Sequence, residues 1–134
     1  MNHETLHNTI RKRFKDQVET PQSIKVAYDN APFVRPNNAI WARWSILTGV
    51  SFQASTGGQT NRFRTSGVAI AQIFGPIEAG DKAILVIVDV IKSAFRRVTD
   101  TGVVFKTPSV ITLGRMENEW QINVQCPFYA DDIA

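Results

Sequence analysis

The amino-acid sequence predicts a single α+β domain, with a mostly antiparallel four- to five-stranded sheet and two helices packed on one face, in the order α-β-β-β-α-β-β. Three observations predict this class. Residues 81–97 carry apolar side chains at helical spacing, over seventeen residues without Gly, Pro or Asn. Residues 119–129 alternate apolar and polar side chains, as a half-buried strand does. A chain of 134 residues is long enough to bury one hydrophobic core.

The two predicted helices differ in how clearly their sequences specify them. Residues 2–18 place an apolar side chain every fourth position after the N-cap residue Asn2, and Pro21 is expected to end the helix. The central segment, residues 81–97, contains a β-branched run that favours a strand, but its length and period favour a helix. Leu85 and Val86 interrupt its polar side, which suggests that another molecule covers them.

Short alternating segments predict the strands, at residues 23–28, 39–50, 67–74, 119–129 and a bulged or edge strand around Pro108. In the second of these, Trp41, Arg43 and Leu47 share one face. Residues 51–66 have little apolar periodicity and predict a flexible tongue between two strands. The polar residues 130–134 predict a loose tail.

Composition narrows the range of functions. The net charge of +3 is too small to indicate nucleic-acid binding by itself, and 43% hydrophobic residues is typical of a globular protein. The single Cys126 excludes an intrachain disulfide. Because the N-terminus is polar and the longest apolar run is short, we expect neither a signal peptide nor a membrane span, and we expect a soluble protein made in a cytoplasm.

The most conspicuous chemical motif is His3-Glu4-Thr5-Leu6-His7, which matches the H-E-x-x-H zinc pattern. It occupies the first turns of a terminal helix, and no third ligand is evident, so we interpret it as a chance match. Cys126 alternates into the apolar face of its strand and is expected to be a buried structural thiol. The sequence therefore predicts no catalytic, metal or cofactor-binding site, and a protein that is not an enzyme.

The order of these segments resembles that of the tail terminator, or tail completion, proteins of long-tailed bacteriophages, the group that includes the lambda minor tail protein U. The resemblance covers roughly residues 3 to 129. Its most specific part is the strand Ser66-Gly67-Val68-Ala69-Ile70-Ala71-Gln72-Ile73-Phe74-Gly75-Pro76 followed by a helix that ends in Ala94-Phe95. Trp41-Ala42-Arg43-Trp44 and Trp120-Gln121-Ile122-Asn123-Val124 complete it.

The resemblance implies a structural protein of the virion, located at the head–tail junction and assembled in the host cytoplasm. Such proteins form a homo-hexameric ring on the last ring of the tail tube, stop tube polymerisation and provide a docking surface for the head. The implied partners are further copies of the chain, the major tail tube protein and a head-completion or connector protein. DNA passes through the ring at most, without specific binding, and no cofactor is implied.

Two groups of residues are candidates for these contacts. The subunit or partner interface is predicted to contain Trp41, Arg43, Leu47, Leu85 and Val86. The tongue is predicted to contact tube or neck through Phe52, Arg62, Phe63 and Arg64.

Other functions remain open at this point. A head–tail connector or head-closure adaptor is the nearest alternative. A small nucleic-acid-binding module would use the arginines and lysines of the first helix, with Arg62, Arg64, Arg96, Arg97 and the aromatic rings of Trp41 and Phe63. An enzyme of unrecognised type is a further alternative, which a metal assay on the H-E-x-x-H motif would test.

Overall fold

The computed structural model describes residues 2–53 and 62–133. The N-terminal helix begins as α1 (His3–Phe14) and continues without a break as a π-helical segment (Lys15–Glu19) and a last α-helical turn (Thr20–Gln22). The side chain of Asn2 accepts a hydrogen bond from the Thr5 N–H at 2.8 Å, so the predicted N-cap is confirmed. The second helix, α2, spans Lys82–Phe95.

The prediction that the first helix ends before Pro21 is wrong, and the π-helical segment provides the physical reason. The Thr20 N–H donates to the Lys15 carbonyl five residues earlier, so the turn ahead of Pro21 is wider than an α-helical turn. A wider turn relieves the clash between a proline ring and the preceding carbonyls. The helix ends instead at Ser23, which adopts the left-handed conformation with φ 52°.

Seven strands form one sheet. Its order is β1-β2-β3-β7-β5-β4, and β6 also pairs with β7; the strands are β1 (Lys25–Tyr28), β2 (Trp41–Gln53), β3 (Arg62–Pro76), β4 (Thr99–Asp100), β5 (Val103–Phe105), β6 (Ser109–Met116) and β7 (Glu119–Ile133). β1 runs parallel to β2. All other neighbouring strands are antiparallel. The sheet curls into half of a barrel.

The prediction of a four- to five-stranded, mostly antiparallel sheet in the order α-β-β-β-α-β-β is therefore wrong. The segment around Pro108 forms two separate strands, and both pair with the same edge of β7. Residues 109–116 pair with its first half and residues 103–105 with its second half, while β4 adds a short strand outside β5. Each of these pairings joins residues that are distant in sequence, so the local alternation of apolar and polar residues does not predict it.

Several strands are also longer than their predictions. The predicted loose tail belongs to β7 as far as Ile133, because residues 130–133 pair with the start of β3. Part of the predicted tongue is also strand, since Ser51–Gln53 pair with Phe63–Thr65. The remainder of the tongue, residues 54–61, lies outside the described residues. The chain has no helix, among the residues described, that is long and apolar enough to cross a membrane.

The main core lies between the two helices and one face of the sheet. Phe14 of the N-terminal helix stacks on Trp44 of β2, with ring centroids 4.2 Å apart. The ring centroid of Phe95 in α2 lies 5.1 Å from that of Trp44 and 5.0 Å from that of Phe105 in β5. The β7 residues Ile122, Val124, Cys126 and Phe128 complete this core. The apolar–polar alternation predicted for residues 119–129 is thereby confirmed for the apolar side of β7.

Close packing of β2 against β3 and β7 depends on Gly67. A Cβ atom at this position would lie 2.4 Å from the Leu47 carbonyl oxygen and 2.7 Å from Cζ of Phe128. The first of these is a backbone atom, which cannot move away without distorting β2.

We expect Gly67→Ala to lower the free energy of unfolding by about 1–3 kcal/mol, because the methyl group overpacks a filled site. Gly49→Ala is the matched control in the same pair of strands, since among the described residues its added Cβ would have one neighbour within 4 Å, the Ser66 carbonyl oxygen at 3.3 Å. Urea unfolding of both variants measures the difference. Equal stability of Gly67→Ala and the wild type would contradict the packing described.

Candidate interaction surfaces

The sheet face opposite the helices, which we call the open face, carries the outward residues of β2. Trp41, Arg43 and Leu47 point to this face, as their alternation predicts. Trp41, however, is only 4% exposed. Its ring stacks on Phe74 with centroids 4.2 Å apart, and on Phe33 at 5.2 Å. The expectation that the Trp41 ring is available to a partner is therefore wrong for the free chain.

Trp41 is also held by polar contacts from β7 and from the segment that precedes β2. Its Nε1–H donates to Glu119 Oε2 at 2.7 Å. Glu119 forms an ion pair with Arg35, whose guanidinium lies 5.8 Å from the centre of the Trp41 ring. The segment 32–36 thus crosses the open face, anchored by Phe33 on Trp41 and by Arg35 on Glu119. This arrangement makes Trp41 the centre of a second, smaller core.

The other two predicted residues of β2 are exposed. The Arg43 guanidinium lies 5.6 Å from the centre of the Trp41 ring and 5.9 Å from that of Phe74, so it covers the small core from the solvent side. Leu47 is 55% exposed further along the strand. The open face therefore offers a guanidinium and an apolar side chain, but not an accessible tryptophan.

Helix α2 carries the other two predicted interface residues, on the opposite side of the molecule. Leu85 and Val86 are 40% and 49% exposed, although the other face of this helix is buried in the core. Val86 also lines a shallow groove between α2 and the N-terminal helix, together with Gln17, Asp89, Val90, Ser93 and Ala94. The structure therefore does not bring the five predicted interface residues together. It divides them between two sides of the sheet.

The tongue residues are described only in part. The backbones of Phe52, Arg62 and Phe63 belong to β2 and β3, but their side chains lie outside the described part of the structure. Arg64 is described fully, and its Nε and Nη2 donate to the two carboxylate oxygens of Asp131 at 2.8 and 3.0 Å. This contact raises the pKa of the Arg64 guanidinium, which also lies 4.1 Å from the centre of the Tyr129 ring. Arg64 therefore braces β3 against β7.

The histidines of the H-E-x-x-H motif lie near one another on the first turns of α1, with ring centroids 6.4 Å apart. Within residues 2–53 and 62–133, no three His, Cys, Asp or Glu side chains are placed to hold a metal ion. Burial lowers the pKa of His7 below its usual 6.5, and the charges of Arg11 and His3 lower it further, while Asp29 opposes them. His7 is therefore a partly buried residue within α1, close enough to Asp29, just after β1, for the two charges to interact.

Cys126 is the buried thiol that the sequence predicts. It lies in the main core, and burial raises its pKa to about 12. A thiol with this pKa is almost entirely protonated near neutral pH and is a poor nucleophile. The prediction of a structural cysteine is confirmed.

The basic residues of the N-terminal helix take up structural contacts, which bears on the nucleic-acid alternative. Arg13 Nε donates to the Ala94 carbonyl at the C-terminal end of α2 at 2.7 Å, and Nη1 pairs with Asp100 at 3.3 Å. The Arg11 guanidinium lies over the Tyr28 ring, whose hydroxyl donates to Glu19. Because Arg11, Arg13, Arg64 and Trp41 already have these contacts, they do not form a free surface for stacking bases.

Sequence reasoning missed two further apolar features. Val34 is exposed in the segment 32–36, and β6 exposes four apolar side chains, namely Val110, Ile111, Leu113 and Met116. The signal for Val34 was present, since a valine stands between two prolines and beside an aromatic and a cationic residue. The exposure of β6 follows from its position on one edge of β7, which the sequence does not specify.

No family model matches this chain, and no curated protein matches it. A solved structure with 14% sequence identity superposes on it with a TM-score of 0.73, over 97% of this chain and 96% of the other. A likeness at this level of identity shows that the two chains share a fold.

Replacing Trp41 by Asp should destabilise the folded monomer, because a charge would enter a buried site between two rings. We expect the free energy of unfolding to fall by about 3 kcal/mol or more, as in other losses of buried aromatic side chains. Trp41→Phe keeps an aromatic ring in the stack but loses the hydrogen bond to Glu119 and part of the buried ring, so it should cost less, about 1–2 kcal/mol. Circular dichroism during thermal unfolding measures both. A Trp41→Asp variant as stable as the wild type would contradict the buried position.

Protonation of His7 should weaken the fold at acidic pH. Since its pKa is lowered in the folded state, the unfolded state binds a proton first as the pH falls through 6.5. Stability is then lost until the pH is below the folded-state pKa. Unfolding free energies at pH 7.5 and pH 5.5 should differ more in the wild type than in His7→Gln. An equal pH dependence in the two proteins would show that His7 is not the group responsible.

Proposed function

We propose that this chain is a phage tail terminator, a structural protein that assembles as a hexameric ring on the end of the tail tube. In this role it stops tube growth and offers its other rim to the head-completion or connector protein. The proposal rests on the sequence resemblance together with one observation of the fold. The molecule exposes apolar side chains on two opposite sides, at Leu85 and Val86 of α2 and at Leu47 of the open face.

Two unlike surfaces on opposite sides suit a ring. In a head-to-tail contact, one surface of each subunit meets a different surface of the next, and the assembly closes when the rotation between neighbours divides the circle evenly. A single apolar patch would instead favour a two-fold dimer. Because Leu85 and Leu47 lie on opposite sides of the sheet, each can contact a different neighbouring subunit. This arrangement supports a ring built from repeated head-to-tail contacts.

A terminator also needs a surface for the tube, separate from the lateral contacts. The outer part of the β2–β3 pair is a candidate, because β1 pairs with β2 only at Trp41–Trp44. Past that point the Ile46 N–H donates to the Asp29 side chain at 3.0 Å, and no strand among the described residues pairs with the remainder of this edge. The Arg64–Asp131 brace fixes the base of this region to β7. A rigid base holds a contact surface in place, so less conformational entropy is lost when a partner binds to it.

We expect Leu85→Asp to leave the monomer folded and to disrupt the ring, because the side chain is exposed in the free chain. Fully burying an exposed leucine is worth about 1.5–3 kcal/mol, so covering Leu85, which is 40% exposed, should contribute about 1 kcal/mol at each subunit contact. Light scattering should therefore give the 15.0 kDa chain rather than its hexamer. Thr107→Asp is the control, since it places the same charge on an exposed residue between β5 and β6.

The terminator function itself is tested with tail tube protein encoded in the same genome. Wild-type protein should stop tube polymerisation at a defined length, and Leu85→Asp should not. Binding of the ring to isolated connector with no effect on tube growth would favour the head-closure alternative. Monomeric protein that neither assembles nor caps tubes would overturn the proposal.

A further inference from the structure

Val34 is the most exposed large apolar side chain among the described residues, at 89%. It lies in the extended segment 32–36 between two anchored neighbours. Phe33 stacks on Trp41, and Arg35 pairs with Glu119. Pro32 and Pro36 further limit the backbone on either side. The segment therefore holds the valine side chain away from the open face in a fixed position, so little conformational entropy is lost when a partner covers it.

The groove between α2 and the N-terminal helix lies on the other side of the sheet. Val86, Val90 and Ala94 supply its apolar lining, and Asp89 is the one charged side chain among the described lining residues. Asp89 is exposed, and it forms no ion pair with the residues that the structure describes. The groove thus combines an apolar floor with a carboxylate that has no ion-pair partner in the described part of the chain.

Val34 and the groove are complementary, because one is a projecting apolar side chain and the other is an apolar depression. The charged residues beside them have opposite signs. An apolar side chain, Val34, stands next to a guanidinium, Arg35, and an apolar groove stands next to a carboxylate, Asp89. Although Arg35 pairs with Glu119, its side chain remains 53% exposed, and a guanidinium has five N–H donors for more than one carboxylate. This charge match favours a second copy of the chain as the occupant of the groove.

We propose that Val34 of one subunit inserts into the groove beside Val86 of the next subunit, with Arg35 directed at Asp89. The inference deepens the proposed function, because it names the two surfaces through which copies of the chain meet. Since the surfaces lie on opposite sides of the sheet, one copy cannot satisfy both with a single neighbour by a two-fold contact. The contact repeats head to tail and leaves unpaired surfaces until a ring closes.

The test is cross-linking of the full-length chain that carries both Val34→Cys and Val86→Cys, with a short bismaleimide reagent. The native Cys126 is buried and should not react, as the wild-type protein will verify. The double variant should give a ladder of covalent oligomers that stops at the ring size. Val34→Cys alone and Val86→Cys alone should give no ladder, because neither pairs with itself in a head-to-tail contact.

A second variant tests the charge match. Val34→Asp should keep the wild-type circular dichroism and melting temperature, since its side chain is exposed, and should raise the concentration needed for assembly at least about 10-fold. Asp89→Lys combined with Val34→Asp should restore part of the assembly, because the new ammonium would attract the new carboxylate, whereas Asp89→Lys alone should weaken assembly, because its ammonium would face Arg35. A double variant that assembles no better than Val34→Asp alone would show that Val34 does not meet this groove.

The outcomes separate this inference from the proposed function. Rings that form without any ladder from the double cysteine variant would overturn the contact and leave the terminator function standing. Dimers from Val34→Cys alone would also overturn it, by showing a two-fold contact. A closed ladder from protein that fails to cap tubes would support the contact and remove the terminator function. Protein that stays monomeric throughout would overturn both.

Discussion

The structure depends first on the aromatic cluster that joins the two helices to the sheet. The Trp44 ring stacks on Phe14 at 4.2 Å and contacts Phe95 at 5.1 Å, so one side chain of β2 receives both helices. Phe95 extends the cluster edge-on to Phe105 of β5. Aromatic pairs in these geometries add to the free energy of simple burial. Because the cluster lies where four elements meet, it sets how the helices lie on the curled sheet and therefore which of their residues remain exposed.

The two faces of the sheet are completed in different ways. On the helix face, whole secondary-structure elements bury the core, and Arg13 ties the N-terminal helix to the last turn of α2. On the open face, the segment 32–36 is what covers the sheet within the described part of the chain, and it does so through the small core around Trp41. A thin cover of this kind leaves neighbouring apolar side chains such as Leu47 in contact with water. The asymmetry gives the molecule two chemically different sides.

This asymmetry links the fold to the proposed role. A subunit that builds a closed ring needs two unlike lateral surfaces in a fixed relative position. The long antiparallel pair β3–β7, with fifteen residue pairs, lies between them and provides a rigid connection. The edge strand β6 is also exposed and apolar, and such edges can pair with other chains. Gly114 places a bulge near its middle, which interrupts regular pairing along that edge.

The sequence by itself determined what depends on neighbours along the chain. The helical period predicted α2 and its exposed Leu85, and alternation predicted the inward face of β7 and the burial of Cys126. Tertiary structure alone decided the pairing of residues 103–116 with two parts of β7. It also turned Trp41 into a buried residue, because Phe33, Phe74 and Glu119 reach it from three different segments. Local patterns specify which face a side chain occupies, but only packing between distant segments specifies whether that face meets protein or water.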